Sequence, residues 1–170
     1  MEYLLLIAEY FWIKGFKSFL WTWILPSMIG ILIFCKSDFS IYSQNASSFH
    51  SNLISVLGIL IGFTISTLTM LLTVNNTNIE EAKIDFLEKN IFSKKVSLFD
   101  SVVISLAYVI IIQGFLLIFN FIYPIFISVS SLKGKMFFSI NVSVMIQIII
   151  VIMRNVLDFY FILTKKSSNV

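Results

Sequence analysis

The chain is poor in charge and in the residues that carry thiol and metal chemistry. Only 12% of its 170 residues are charged, against roughly a quarter in ordinary soluble domains. It has one cysteine, Cys35, and one histidine, His50, which excludes an internal disulfide and the usual clustered Cys/His metal sites. Arg154 is its one arginine, and because arginine is the usual reader of phosphates and bases, we expect no nucleic-acid binding.

The residue sets that catalysis requires are also missing. The sequence contains no nucleophile–base–acid set, no H-E-x-x-H, no phosphate-binding P-loop and no glycine-rich dinucleotide loop. We therefore expect that the protein is not an enzyme and holds neither a cofactor nor a metal. No carboxylate lies deep within an apolar segment, which argues against a proton-coupled transporter.

Apolar residues, by contrast, are abundant. They make up 58% of the chain, and the mean hydropathy is +0.96. Long apolar segments with few charges are typical of membrane spans, which need about 20 residues. Four segments qualify, at about 18–35, 53–74, 102–127 and 136–163. The sequence therefore predicts an all-α fold, an integral membrane four-helix bundle.

Charge and aromatic residues predict how these spans are arranged. Lys and Arg are more frequent on the side that holds both termini, which predicts that both termini are cytoplasmic. The bias towards Lys, Ile, Asn, Phe and Ser is typical of AT-rich coding and indicates a bacterium. We therefore expect a multi-pass protein of the bacterial inner membrane.

Residues 36–51 and 128–135 would be short outer loops, with His50 solvated in the first. The predicted units are an interfacial N-terminal segment 1–17, with a short helix on the membrane over 2–14, a membrane domain 18–166, and a tail 167–170.

The charged segment 75–100 is the predicted cytoplasmic loop. Asn78 followed by Glu81 matches a capping box, and Asp85 and Lys89 have the spacing of a helical ion pair, so we expect a short helix. It would be either a solvated connector or a docking site for a soluble partner. The candidate contacts for such a partner are Glu80, Glu81, Lys94 and Lys95.

Small and hydroxyl-bearing residues recur along the second span at spacings of three and four. They fall within an arc of about 80° on a helix and therefore share one narrow face. Close packing of helices in lipid uses such faces, and a pore lined by hydroxyl rings is the alternative. In either case we expect the face to meet protein, either the other spans or a second copy. The members of this face are Ser55, Gly58, Gly62, Ser66, Thr69 and Thr73.

Other polar residues lie within the third and fourth spans. Gln113, Asn120 and Gln147 are costly in lipid unless paired, so we expect them to face the bundle and bond between helices, or to line a path. Arg154 and Asp158, four residues apart, are predicted to form an interfacial ion pair. A gate or a partner contact is the alternative for this pair.

The whole-chain pattern resembles small four-span membrane proteins of bacterial anti-phage defence systems, most of all the membrane subunit of the Kiwa system. The resemblance lies in the size, the four spans, the stretch "LISVLGILIGFTISTLTMLLT" and the charged loop after it. It implies an oligomeric sensor that binds a soluble cytoplasmic effector and responds to phage attachment or envelope disturbance. Two alternatives stay open: a pore-forming protein of the holin or abortive-infection type, and a bacteriocin immunity protein.

Overall fold

The chain folds mainly into long helices. The structure, a computed structural model, describes residues 2–74, 76–91 and 94–164. The predicted tail, residues 167–170, lies outside this part. Within the described residues the elements are α1 Glu2–Lys14, α2 Phe16–Lys36, α3 Phe39–Thr73, α4 Thr77–Ile84, β1 Phe86–Ile91, β2 Lys94–Ser97, α5 Leu98–Phe126 and α6 Leu132–Thr164.

Three of these helices, α3, α5 and α6, are long and apolar enough to cross a membrane. A shorter apolar stretch, Leu20–Lys36, lies in α2. The predicted helical membrane fold is confirmed at this level, and the chain has the character of a membrane protein. At 35 residues α3 is about 52 Å long, so it extends well beyond a hydrocarbon core of about 30 Å or tilts within it.

The three long helices pack side by side. Both α3 and α5 contact α6 and each other, α2 packs against α6, and α1 packs against α5. The centre of the core holds fully buried aliphatic side chains from all three long helices, Leu57, Val109 and Ile148. We call the end where α3 and α6 finish and α5 starts the hairpin end, and the other end, with the connections 37–38 and 127–131, the distal end.

The expectation of a polar loop over residues 36–51 is wrong, because α3 already begins at Phe39. Only Ser37 and Asp38 separate α2 from α3, and the Asp38 side chain accepts a hydrogen bond from the Ser40 amide at 2.8 Å, which caps the helix. The segment is polar, yet Tyr42 and Ala46 are buried, and with Leu53 and Leu57 they form one helical face. Tertiary packing of that face keeps the segment helical. The second expected loop, 128–135, is shorter than predicted because α6 already begins at Leu132.

The N-terminal helix has the predicted extent but is packed against the bundle. Tyr10 is buried and stacks on Tyr108 of α5, with ring centroids 3.9 Å apart and planes at 4°. Ile13 is buried in a small cluster with Val96 of β2 and the partly buried Leu87. Contact of this helix with the membrane interface stays a prediction.

The segment between α3 and α5 is more structured than expected. Helix α4 begins at Thr77, and its cap is Asn76, whose side chain accepts from the Asn78 amide at 3.1 Å, so the expected role of Asn78 is wrong. Asn78 instead donates to the Leu163 carbonyl at 2.6 Å and ties α4 to α6. Helix α4 ends at Ile84 and Lys89 lies in β1, so the expectation that Asp85 and Lys89 share one helix is wrong.

An antiparallel β-hairpin follows α4. This hairpin was not predicted from the sequence. Phe86 pairs with Ser97 and Ile91 with Lys94, with an irregularity between Phe86 and Asn90. Ser97 then starts α5 with a capping box, in which its hydroxyl accepts from the Asp100 amide and the Asp100 carboxylate accepts from the Ser97 amide. A tight turn from strand to helix therefore fixes the hairpin against the bundle.

Helices α2 and α6 approach each other closely at Gly30. A Cβ atom there would overlap Ser143 Oγ and lie 2.9 Å from the Ser139 carbonyl oxygen. Small residues at a helix crossing allow backbones to approach closely in lipid. By contrast, a Cβ atom at Gly58 or Gly62 would meet nothing within 4 Å in the protomer. These two glycines belong to the predicted face of small residues on α3, which we call the α3 stripe: Ser55, Gly58, Gly62, Ser66, Thr69 and Thr73.

We predict that Gly30→Ala lowers the midpoint of thermal unfolding in detergent, at a cost of about 1–3 kcal/mol, because overpacking forces the two helices apart. The matched control is Gly114→Ala, since a Cβ at Gly114 meets nothing within 4 Å and the change carries the same gain in helix propensity. Equal midpoints for the two variants would contradict the close contact.

Candidate functional site: buried polar residues between α3, α5 and α6

Neutral polar side chains are buried between the three long helices. Gln113 of α5 is fully buried, and its Nε2 donates to Thr64 Oγ1 of α3 at 3.2 Å. Thr64, also fully buried, donates back to the Leu60 carbonyl of its own helix at 2.7 Å. The Oε1 atom of Gln113 has no hydrogen-bond partner among the described residues. Gln113 thus joins α3 to α5 while keeping one unpaired acceptor.

Two further pairs join α5 to α6. Asn120 and Asn141 bond reciprocally, with each Nδ2 donating to the other's Oδ1 at 3.2 and 3.1 Å. Gln147 Nε2 donates to the Tyr108 hydroxyl at 3.3 Å. The prediction that Gln113, Asn120 and Gln147 face the bundle and bond between helices is therefore confirmed.

Polar contacts continue towards the distal end. The Tyr123 hydroxyl and His50 Nδ1 are 3.1 Å apart, and their rings meet edge to face. The Tyr42 hydroxyl donates to the Val129 carbonyl at 2.9 Å. His50 is therefore half-buried against α5, and the expectation of a solvated loop histidine is wrong because α3 continues through this region.

Towards the hairpin end, two buried polar side chains between α5 and α6 are left unpaired. Ser105 of α5 and Asn155 of α6 are 0% and 1% exposed. Neither the Ser105 hydroxyl nor either polar atom of the Asn155 amide has a hydrogen-bond partner within the described part of the chain. An unpaired buried polar group costs about 1–3 kcal/mol, so these positions require an explanation beyond packing.

Together these residues form what we call the polar column. On α5 it extends from Ser105 to Tyr123, about 27 Å along the helix, which nearly matches the hydrocarbon thickness of a bilayer, about 30 Å. The column is uncharged throughout. Its members are Ser105, Tyr108, Gln113, Asn120 and Tyr123 of α5, Thr64 and His50 of α3, and Asn141, Gln147 and Asn155 of α6.

A cavity of about 610 Å³ lies at the hairpin end of the column. Arg154 and Asp158 both lie in its wall, one turn apart on α6, together with Ser101 of α5. The remaining wall is mostly apolar and includes Ile13 of α1 and Leu87 of β1. The two charged residues predicted as an interfacial pair therefore flank an opening between α1, the hairpin and the two long helices.

The α3 stripe points away from the core. All six of its residues are exposed, and a Cβ at Gly58 or Gly62 would meet nothing within 4 Å. The buried residues of α3 in the same stretch, Leu57, Thr64 and Leu71, lie on the opposite side of the helix, about 160° away on average at 100° per residue. The stripe thus does not contact the other spans in the protomer.

Three of the four hydroxyls of the stripe are bonded within their own helix. Ser55 donates to the Ser51 carbonyl at 3.0 Å, Thr69 to Ile65 at 2.9 Å, and Thr73 to Thr69 at 2.8 Å. These hydroxyls therefore need no partner from another chain. The stripe is a smooth, small-residue surface rather than a row of free donors.

The predicted partner contacts lie on α4 and the hairpin. Glu80 is exposed and pairs with Lys83 at 2.6 Å, and Glu81 is partly exposed. Lys95 is exposed with its Nζ 6.0 Å from the Phe86 ring centre. The side chain of Lys94 lies outside the described part. Since α4 packs against β2, these charges share one end of the molecule.

Sequence reasoning missed several of the residues that build this site. Asn141 and Asn155 are amides inside an apolar helix, and that pattern alone marks them as candidates for burial. Lys135 has no such local signal. It is 5% exposed, and its Nζ donates to the Ser37 carbonyl at 2.7 Å, where α2 ends. A cation at a helix C-terminus is favourable, but only the packing of α2 on α6 brings the two together.

We predict that Asn141→Leu lowers stability by about 1–3 kcal/mol, because it leaves Asn120 Oδ1 buried without its donor. Asn120 Nδ2 keeps its hydrogen bond to the Leu116 carbonyl. The double variant Asn120→Leu/Asn141→Leu should recover part of this loss, since both polar groups are then removed. Chemical denaturation in mixed micelles measures the coupling, and strictly additive effects would contradict a paired contact.

Comparison with known proteins gives no assignment. No protein-family model matches the chain, and neither a curated protein nor a solved structure matches it. In the described part of the chain, no group of three or more His, Cys, Asp and Glu residues is placed to hold a metal ion. The proposals below therefore rest on the geometry of the polar column, the α3 stripe and the hairpin end.

Proposed function

We propose that the protein is a non-enzymatic subunit of the bacterial inner membrane that self-associates and relays an envelope disturbance to a soluble cytoplasmic partner. In this proposal α2, α3, α5 and α6 are four spans, and both termini are cytoplasmic. The observation that carries it is the α3 stripe, a continuous face of small residues left uncovered on an otherwise apolar helix.

The stripe is suited to contact with a second copy. Between helices in lipid there is little hydrophobic driving force, so association depends on close van der Waals packing and on interhelical hydrogen bonds. Gly58 and Gly62 have open space around them, and the hydroxyls of Ser55 and Thr69 are bonded to their own helix. A second α3 can therefore approach closely at the two glycines without having to supply partners for these hydroxyls.

The surface at the hairpin end is suited to binding a soluble partner. Exposed charges at Glu80 and Lys95 lie beside exposed apolar side chains, Ile84 and Phe86, a mixture that is common at protein interfaces. Helix α4 starts shortly after α3 ends and also contacts α5 and α6. A change in the packing of α3 would thus reach the proposed partner surface through a short, structured connection.

We propose that the protein belongs to an anti-phage defence system. This part of the proposal is supported by the resemblance of the spans and the stripe to the membrane subunits of such systems. The pore-forming alternative is favoured by one observation, the exposed hydroxyls of the stripe, which several copies around an axis would present to a shared lumen. The two candidates differ in one property. A relay subunit assembles without conducting ions, whereas an assembled pore former conducts them.

We predict that Gly58→Leu/Gly62→Leu weakens self-association, because two leucines would hold neighbouring α3 helices apart. Cross-linking in detergent should show a loss of the higher bands. Gly114→Leu is the matched control, since that glycine of α5 also has open space around it but lies off the stripe. An unchanged oligomer in the stripe variant would rule out this face as the interface.

We predict that a soluble protein encoded beside this one co-purifies with it. Reversing the charges at Glu80, Glu81, Lys94 and Lys95 should abolish the complex. Reversing the exposed Lys36 and Lys133, which lie at the distal end, should leave it intact. Equal loss in both variants would argue against a specific surface on α4 and the hairpin.

The membrane potential separates the two candidates. Induced cells carrying a voltage-sensitive dye should keep their potential if the protein is a relay subunit. Depolarisation that disappears in Gly58→Leu/Gly62→Leu would instead establish the pore-forming alternative, with the stripe as its lining.

A further inference from the structure

The unpaired atoms of the polar column all lie on one side of it. They are the Ser105 hydroxyl, both polar atoms of the Asn155 amide, and the Oε1 atoms of Gln147 and Gln113. Each of these side chains is at least 99% buried. On the distal side, the column residues Asn120, Asn141 and Tyr123 all have side-chain hydrogen bonds. The column therefore divides between Gln113 and Asn120.

The register of α5 against α6 brings the unpaired groups to one level. The helices are antiparallel, and the Asn120–Asn141 pair fixes their alignment. Ser105 precedes Asn120 by about 22 Å along α5, and Asn155 follows Asn141 by about 21 Å along α6, at 1.5 Å per residue. The two residues thus lie at the same depth on buried faces, and neither satisfies the other.

The large cavity begins next to this level. Ser101, one helical turn before Ser105, and Arg154, adjacent to Asn155, both line it. From Ser101 to Gln113 the distance along α5 is about 18 Å. The unpaired atoms therefore form a series that leads from the cavity into the middle of the bundle.

Water is the partner that such atoms require. In a membrane interior no lipid group can replace a missing hydrogen bond, so polar groups there must be satisfied within the protein or by water in a cavity. Buried waters typically bridge two to four otherwise unsatisfied polar groups. An amide oxygen, an amide nitrogen and a hydroxyl together provide both acceptors and donors for water.

We propose that water enters the protomer through the cavity beside Arg154 and Asp158 and extends past Ser105 and Asn155 to Gln113. These water molecules form a row, which we call the file. It ends at the reciprocal Asn120–Asn141 pair, because the two amides are already bonded to each other. The protein thus contains a water-filled half-channel, open at the hairpin end and closed towards the distal end. It lies inside one protomer and is independent of the α3 stripe and of self-association.

Helix α1 closes the side of this half-channel. Tyr10 stacks on Tyr108, whose hydroxyl accepts from Gln147, and both tyrosines are almost fully buried. The aromatic pair separates the file from the surroundings of α5. Water therefore enters through the cavity rather than between α1 and α5.

Reactivity of single cysteines towards silver ions tests the proposal in the full chain reconstituted in lipid nanodiscs. In a Cys35→Ser background, Ser105→Cys and Asn155→Cys place thiols along the file. Leu57→Cys places one in the fully buried apolar core, about 10 Å distal to Thr64 along α3 and so beyond the proposed end of the file. Silver binds thiolates, which form in water and not in apolar surroundings. We expect Ser105→Cys and Asn155→Cys to be blocked at least about tenfold faster than Leu57→Cys. Equal rates at all three positions would overturn the half-channel.

A second measurement covers the case in which a cysteine variant folds poorly. Asn155→Leu removes two unpaired polar atoms. If the site is dry, the variant should unfold at a higher temperature than the parent, because an uncompensated polar group has been removed. If the site is hydrated, we expect no increase, because the leucine displaces bonded water. A higher unfolding midpoint would therefore overturn the proposal.

Discussion

The pairing of buried amides within an apolar bundle is the constraint on which this structure depends. In the membrane interior a side-chain amide cannot bond to lipid, so it needs a partner on a neighbouring helix or water held within the protein. The Asn120–Asn141 pair satisfies both amides at once and fixes how far α5 and α6 slide past each other. Aliphatic side chains alone pack almost equally well in several registers. The amides therefore select the register, and the aliphatic core fills the space around it.

Helix α3 has two different faces as a result. One side carries Leu57, Thr64 and Leu71 against α5 and α6, and the opposite side carries the small residues of the stripe. The hydrogen bond between Thr64 and Gln113 determines which side faces inward. Once that face is buried, the stripe has to face outward, where it is available to another chain. The proposed self-association is thus a consequence of internal packing.

The hairpin end brings together three features that are separate in sequence. The cavity with Arg154 and Asp158, the docked helix α1, and the α4–hairpin segment lie at the same end of the bundle. The hairpin links them, because α1 packs against β1 and α4 against β2, while Ile13 of α1 and Leu87 of β1 line the cavity. A partner bound at α4 would therefore lie close to the opening of the proposed half-channel, while the distal end stays closed by paired groups.

The sequence by itself determined the helical membrane character, the short helix after α3, and the inward position of Gln113, Asn120 and Gln147. These follow from apolar length and from the cost of an unpaired amide, which are local properties. It could not determine that the polar segment 39–50 is helical, because that depends on burying Tyr42 and Ala46 against other helices. The burial of Lys135 and the close contact at Gly30 likewise exist only where α2 meets α6. Tertiary structure also decided that the α3 stripe faces outward, since spacing places residues on one face without saying which face is buried.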